Sequence, residues 1–162
     1  MAKKSSTKSS AAPAGANIFL LLISGIIGYE WLHSAYGKFQ PGFLEGMPKT
    51  IGFFTAKNPN QFYVDFLKMA DPQTLGNLTR FTELAVGAGF VVAAVALLFK
   101  FGPKNILATI GALAALGGAF LNLNFFLAAG HTSPSTEGIN VVMGLTQLVL
   151  LAYFFKLGNK KA

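Results

Sequence analysis

Residues 80–129 have the sequence RFTELAVGAGFVVAAVALLFKFGPKNILATIGALAALGGAFLNLNFFLAA, two long apolar stretches separated by the short segment Lys100–Lys104. Each stretch is long enough to cross a hydrocarbon core of about 30 Å, which takes about 20 helical residues. The Gly102-Pro103 pair ends one helix and begins the next, so these two spans must be antiparallel neighbours. The hairpin predicts a helical membrane protein, because an open sheet edge cannot survive in hydrocarbon.

Two further apolar stretches flank this hairpin, and the composition of the chain agrees with burial in lipid. Of the 162 residues, 52% are hydrophobic and only 12% are charged, whereas about 25% are charged in a typical soluble domain. The predicted fold class is therefore an all-α membrane protein, a four-transmembrane-helix bundle occupying residues 17–157. Its helices are predicted at about 17–36, 80–99, 105–129 and 139–155.

The connection between the first two spans, residues 38–78, is too long to be structureless and is predicted to be a partly helical outer loop. Asn58 can cap a helix that has Pro59 at its first position. In that helix Phe62, Phe66 and Met69 form an apolar stripe, which is typical of an amphipathic helix lying on a membrane surface. Asp71-Pro72 repeats the helix-start pattern, so the second span can begin as a helix before it enters lipid.

The basic residues predict the orientation, because Lys and Arg beside spans stay on the cytoplasmic side. One face gathers lysines with no acidic residue among them: Lys3, Lys4, Lys8, Lys100, Lys104, Lys156, Lys160 and Lys161. Both termini are therefore expected in the cytoplasm, with the chain in the cell's inner membrane. The tail 1–16 is predicted to be disordered or bound by a partner, and 158–162 is a second basic tail.

Ionisable and amide side chains within the spans are the candidate site residues, since such groups are costly in lipid and usually mark a site. Glu30 and His33 share a face of the first span one to two turns from its outer end. On the other spans, polar groups are expected at the same depth: Arg80 and Glu83 on the second, Asn122 and Asn124 on the third. The sequence predicts that Glu30, Glu83 and Asn122 meet near the outer face.

Three interpretations of these polar groups stay open, one of which is direct catalysis by the polar groups themselves. They can hold the helices together, for example through a Glu30–Arg80 or a Glu83–Lys38 ion pair. Alternatively, they line a small-molecule site beneath the outer loop. The small residues of the hairpin are expected to pack its two helices on each other: Gly87 and Gly89 on one helix, Gly111, Ala114 and Gly118 on the other. Trp31 is most simply an interfacial residue.

Several chemistries are disfavoured by composition. The chain contains no cysteine, which excludes disulfides, iron–sulfur clusters and covalently attached haem. No metal-binding motif is evident, and no catalytic residue can be assigned. The net charge of +7 lies at the ends of the spans rather than in a basic stripe, so nucleic acid is not an expected partner. The expected surroundings are lipid and the subunits of a membrane complex.

Two segments carry a family resemblance: Gly28-Tyr-Glu-Trp-Leu-His33 with the following Gly37-Lys38, and Leu121-Asn-Leu-Asn-Phe-Phe-Leu-Ala-Ala-Gly130. Over residues 18–157 the chain resembles the DoxX/DoxD-like membrane proteins. The resemblance implies four transmembrane helices and, through the DoxD branch, a link to thiosulfate:quinone oxidoreductase, in which a second subunit takes part. The positions carried over by the resemblance are Glu30, Trp31, His33, Lys38, Asn122 and Asn124.

This resemblance suggests a quinone as the one non-covalent cofactor. A quinone site needs an apolar slot with hydrogen-bonding groups for the carbonyl oxygens. In this hypothesis His33 contacts a quinone oxygen and Glu30 relays protons. The alternative is a non-catalytic accessory or structural subunit of a larger respiratory or photosynthetic membrane complex. A small-solute transporter fits less well, because no inverted repeat or broken helix pair is visible.

Overall fold

The computed structural model describes residues 14–159, with side chains from residue 18 onward. Residues 1–13 and 160–162, which hold most of the two predicted tails, lie outside the described part. Within it the chain forms six α-helices and no strand, with a short 3-10 turn at Gly130–Thr132. The helices are α1 (Ala14–Lys38), α2 (Phe43–Thr55), α3 (Gln61–Met69), α4 (Pro72–Leu98), α5 (Lys104–Ala129) and α6 (Pro134–Asn159).

The four long helices α1, α4, α5 and α6 are each long and apolar enough to cross a bilayer. They run alternately up and down, as expected for a four-helix membrane bundle. This confirms the predicted fold class and indicates a multi-pass membrane protein. Helix α4 begins at Pro72, as the Asp71-Pro72 pattern predicts, and so extends beyond the predicted span, while α6 begins at Pro134, before its predicted start. Asp71 caps α4 by accepting a hydrogen bond from the Thr74 amide at 2.7 Å.

The two ends of the bundle differ in construction. At one end, here called the turn end, α4 and α5 are joined through Lys100 and Gly102, whose φ angles of 59° and 75° close a tight turn. At the other end, the loop end, α2 and α3 cover the bundle. Only glycine adopts such positive φ values without strain, which explains Gly102, while Lys100 must be held there by the turn.

Small residues set the distances between neighbouring long helices. A Cβ at Gly28 of α1 would lie 3.0 Å from the Gly87 carbonyl oxygen of α4, so α1 and α4 pack almost backbone to backbone. Gly89 faces α5, where a Cβ would lie 3.0 Å from that of Ala114. These two contacts also fix the relative heights of α1, α4 and α5.

The predicted partners of three glycines were wrong. Gly111 and Gly118 do not face α4: a Cβ there would lie 2.6 Å from Phe154 and 2.8 Å from Gln147, both on α6. Gly87 likewise packs on α1 rather than on α5. The reason is that α4 and α5 each pack on two helices, so a stripe of small residues serves whichever neighbour comes closest.

Helices α2 and α3 are held over the loop end by asparagines. The α3 cap is Asn60, whose side chain accepts from the Tyr63 amide at 3.1 Å, and not Asn58 as predicted. Asn58 instead donates to the carbonyl of Leu127 at 2.9 Å and accepts from the Asn60 amide at 2.9 Å. It therefore ties the connection between α2 and α3 to the end of α5.

Helix α3 has one face toward the bundle and another left open. Tyr63, Val64 and Leu67 are buried against the bundle. The predicted apolar stripe stays outside, with Phe62 and Met69 84% and 87% exposed. An apolar face left open beside apolar spans is typical of a helix lying at a membrane surface.

Candidate functional site

The pair Lys38–Glu83 is the only salt bridge among the described residues. Lys38 ends α1, and its Nζ lies 2.8 Å from Oε2 of Glu83 on α4. The carboxylate is completely buried, whereas the lysine side chain is 23% exposed. Lys38 Nζ also donates to the Ser34 hydroxyl at 2.8 Å. The ion pair anticipated from the sequence is therefore present, and it joins α1 to α4 near the loop end.

One oxygen of this buried carboxylate has no hydrogen-bond partner in the protein: Oε1 of Glu83. A buried charged group that lacks part of its hydrogen bonding is costly. Such a group in a bundle interior is a candidate for proton exchange or ligand binding.

Aromatic rings surround the pair on the side of α5. The Phe125 ring centroid lies 6.0 Å from Lys38 Nζ and 6.2 Å from the ring of Trp31. Trp31 is 3% exposed, and its indole nitrogen has no partner. Trp31 thus packs in the bundle interior beside Phe125, and the prediction that it is an interfacial belt residue was wrong.

Arg80 belongs to a different arrangement. Its guanidinium lies 4.9 Å from the centroid of the Phe39 ring and 5.1 Å from that of Phe81, at distances typical of cation–π contacts. No ion pair joins Arg80 to Glu30 among the described residues, so that predicted pair is not formed. Arg80 instead packs on Phe39, which directly follows α1, and on Phe81 of its own helix.

Glu30 and His33 lie on the exposed side of α1, and the predicted meeting of Glu30 with Glu83 and Asn122 was wrong. The helix buries Gly28, Trp31 and Ala35 against the bundle. With 100° per residue, Glu30 and His33 fall on the opposite side. His33 stacks on Tyr29, with 6.0 Å between the ring centroids.

The two asparagines of α5 point into different surroundings, as their spacing predicts. Asn122 is 2% exposed and donates to Oε1 of Gln147 on α6 at 2.9 Å. Asn124 accepts a hydrogen bond from the Tyr63 hydroxyl of α3 at 3.0 Å. Asn122 therefore holds α5 to α6, while Asn124 faces the underside of the outer loop.

A cavity of about 260 Å³ lies beneath α2 and α3, between α4 and α5; it is called here the outer cavity. Its walls are mostly apolar, and they include Met47, Ile51, Phe54, Leu67, Leu75, Leu121 and Phe125. Its polar groups come from three helices, namely Tyr63, Thr79, Thr82 and Asn124. Burial raises the pKa of Tyr63 above its usual value, so its hydroxyl stays a hydrogen-bond donor at neutral pH.

The outer cavity adjoins the ion pair. Phe125 lines the cavity and also contacts Lys38 and Trp31. Thr82 lines it too and precedes Glu83 in the chain. The structure thus brings Trp31 and Lys38 to the Phe125 ring, with Glu83 paired to Lys38 and Asn124 in the same cavity wall as Phe125. It leaves Glu30, His33 and Asn122 elsewhere.

Elsewhere in the described chain, fewer polar or ionisable side chains lie together at a cavity. A groove of about 480 Å³ between α5 and α6 has almost wholly apolar walls and is open at the surface of the bundle. No group of three or more His, Asp or Glu side chains suited to a metal ion occurs in residues 18–159. His131 contacts the Ala56 carbonyl oxygen through Nε2 at 3.1 Å, which fastens the end of α2 to the 3-10 turn.

Comparisons of the chain with protein-family models, with curated proteins and with solved structures find no match. The function must therefore be argued from the geometry of the site.

Proposed function

We propose that this protein is a DoxX/DoxD-type membrane subunit that binds a quinone in the outer cavity and takes part in quinone-dependent electron transfer. The observation that carries the proposal is an apolar cavity with a hydroxyl–amide pair, Tyr63 and Asn124, in its wall. A quinone is a flat apolar ring with two carbonyl acceptors, and such a slot suits it.

The size and the opening of the cavity suit a ligand that has one ring and a hydrocarbon tail. A volume of about 260 Å³ is slightly below the range of about 300–1,000 Å³ for drug-sized ligands, so it suits a headgroup alone. Leu78 and Phe120 line the cavity while being 62% and 63% exposed. The cavity therefore opens toward lipid between α4 and α5, where a hydrocarbon tail can leave.

Reduction of a quinone takes up two electrons and two protons. Tyr63 donates its one hydroxyl proton to Asn124 Oδ1 and so orients the amide. One N–H of that amide donates to the Phe120 carbonyl oxygen, and the other is left to donate to a quinone carbonyl oxygen. In this proposal the Lys38–Glu83 pair, which contacts Phe125 of the cavity wall through Lys38, supplies the protons. In this proposal Asn124 and Tyr63 take the role that the sequence suggested for His33, and Glu83 takes that of Glu30.

The electrons must come from elsewhere, because a chain without cysteine has no thiol or iron–sulfur site to hold them. The resemblance to DoxD-type subunits suggests thiosulfate as the donor, oxidised either on a second subunit or directly at the quinone. The lysine distribution supports an inner-membrane location with both termini in the cytoplasm, which puts the outer cavity on the opposite side.

The single tryptophan of the chain offers a direct test, since Trp31 packs on Phe125 at the cavity wall. A short-chain ubiquinone analogue is titrated into the detergent-solubilised protein while Trp31 fluorescence is recorded. We expect saturable quenching, and Asn124→Leu should weaken binding about tenfold by removing a hydrogen bond worth about 1.4 kcal/mol.

Tyr63→Phe should weaken binding in the same direction. Tyr153→Phe, a matched change at a half-buried tyrosine near the turn end, should leave the titration unchanged. Quenching that is linear in quinone and identical in all of these proteins would rule out the site.

A second function is favoured by one observation, the exposed carboxylate of Glu30 on a membrane-spanning helix. Such a group needs a partner, which is what an accessory subunit of a larger respiratory or photosynthetic membrane complex would have. Under this proposal the outer cavity stays empty, and the protein purifies with its complex but shows no saturable quinone binding.

A further inference from the structure

Glu30 lies near the middle of the membrane-spanning bundle rather than near an end. Gly28 packs against Phe90 and Gly89 packs against Ala114, so these residues share about one level. At 1.5 Å per residue, Ala114 is about 15 Å from the start of α5 and about 22 Å from its end. Glu30 is about 3 Å from Gly28 along α1. Its carboxylate is therefore deep in the hydrocarbon.

Glu30 has no means of reaching water by itself. It is about 12 Å along the helix from Lys38, the end of α1, and a glutamate side chain is much shorter than that. A charged group at the centre of a membrane helix costs about 2.5–3.5 kcal/mol on insertion scales. Because Glu30 faces outward from the bundle, the compensation must come from outside this protomer.

The surface around Glu30 has the spacing of a helix-pairing seam. Exposed residues follow one another along α1 at alternating intervals of four and three: Phe19, Ile23, Ile26, Glu30, His33 and Gly37. A repeat of 3.5 residues is typical of two helices that pair over several turns. A polar residue at one seam position selects the partner and the register.

We infer that this face of α1 is a docking surface for a transmembrane helix of a different polypeptide, one that carries Arg or Lys at mid-membrane depth opposite Glu30. Charge complementarity decides between partners. In a symmetric pair of two copies the same surface meets itself, which would bring two Glu30 carboxylates to one level in hydrocarbon. A cationic side chain satisfies the carboxylate, and a second copy does not.

This inference rests on the proposed accessory role and states which kind of partner that role requires. Because this face of α1 points away from the outer cavity, the inference can be tested independently of quinone binding. The probe is a synthetic transmembrane peptide of Leu and Ala with a single central Arg, compared with the same peptide bearing Leu there. Both carry a dye and are reconstituted with the full chain in phosphatidylcholine vesicles. The second dye is attached at Lys57→Cys, which is unique in a cysteine-free chain.

Energy transfer should show that the Arg peptide associates about tenfold more strongly than the Leu peptide, within the range of polar contacts between membrane helices. Glu30→Gln should remove most of that preference, and Glu137→Gln, an exposed glutamate at the loop end, should keep it. Equal association of the two peptides, or a preference that survives in Glu30→Gln, overturns the inference.

A second measurement uses the native membrane. A photo-reactive residue at Ile26, which is 63% exposed, should crosslink to a transmembrane segment of another polypeptide containing Lys or Arg at its centre. Crosslinks only to a second copy of this chain, or only to lipid, contradict the inference.

Discussion

Lys38 and Glu83 are the two residues whose interaction should matter most to the stability of the bundle. Replacing Lys38 with Met leaves the Glu83 carboxylate buried with no cation. Breaking a buried ion pair in this way typically costs about 3 kcal/mol. We expect reversible unfolding in mixed micelles to show a loss of stability of that order.

The double variant Lys38→Met with Glu83→Gln is the control for this prediction. It removes both charges, and apolar or neutral replacements of a buried pair are often nearly neutral. It should therefore be more stable than Lys38→Met alone. If the two variants have the same free energy of unfolding, the uncompensated Glu83 carboxylate is not the cause of the lost stability.

Tyr63 should make the stability of the protein depend on pH in the alkaline range. Burial raises its pKa in the folded protein above the ordinary value of 10.0. The stabilisation of the folded state by Tyr63 is therefore complete while the pH is below that ordinary pKa. It is lost as the pH rises through the pKa of Tyr63 in the folded protein. Thermal unfolding from pH 8 to 11.5 should show the wild type losing its advantage over Tyr63→Phe above about pH 10. A constant difference would mean that the hydroxyl is not buried.

The side chains of α1 show why some site residues could not be predicted from sequence. The rule that ionisable groups in spans face the bundle interior placed Glu30 and His33 inside. The stripe of Gly28, Trp31 and Ala35 lies on the opposite side, and the small residue Gly28 permits close backbone contact with α4. Packing of the small and apolar residues decides which face of a span meets the bundle. The polar residues then lie on the remaining faces.

Among the elements, the contact of α5 with α6 should be the least tolerant of added volume. Gly111→Ala would bring a Cβ within 2.6 Å of the Phe154 ring, and Phe154 is completely buried. Overpacking of this kind costs about 2 kcal/mol. Unfolding in mixed micelles should show the loss.

Gly138→Ala on α6 is the matched control, because a Cβ there meets nothing within 4 Å. It should leave stability unchanged or raise it by about 0.5 kcal/mol through the helix preference of alanine. A similar loss in both variants would show that α5 and α6 do not pack as closely as the structure has them.

The elements were largely predictable, because membrane spans need long apolar runs and turns need particular residues. Asp71-Pro72 located the start of α4, and Gly102-Pro103 located the turn before α5. The cap of α3 was placed on Asn58 instead of Asn60, since two asparagines near one proline offer the same local hydrogen bonds. Only the tertiary contact of Asn58 with Leu127 distinguishes them.

For the whole molecule, the proposed orientation has a simple consequence. In intact cells, Lys57→Cys at the loop end should react with a membrane-impermeant maleimide, whereas Lys100→Cys at the turn end should react only after the membrane is opened. The natural chain has no cysteine, so each label reports one site. The reverse pattern would mean that the lysine distribution does not set the topology.

The outer cavity belongs to the whole molecule and to no single segment. Its hydroxyl–amide pair joins Tyr63 to Asn124, 61 residues apart in the chain, and its walls come from four helices. The sequence could indicate a site beneath the outer loop because amphipathic helices covered the end of a bundle. It could not indicate which side chains of α3 turned inward, since α3 has two apolar faces.

The most direct test of the central claim is an experimental density map of the protein purified with a short-chain ubiquinone analogue. The account predicts a flat ring in the outer cavity, with one carbonyl oxygen within hydrogen-bond distance of Tyr63 or Asn124 and the tail leaving between Leu78 and Phe120. A map with the ring bound at another place, or with acyl chain filling the cavity in the presence of saturating quinone, would contradict it.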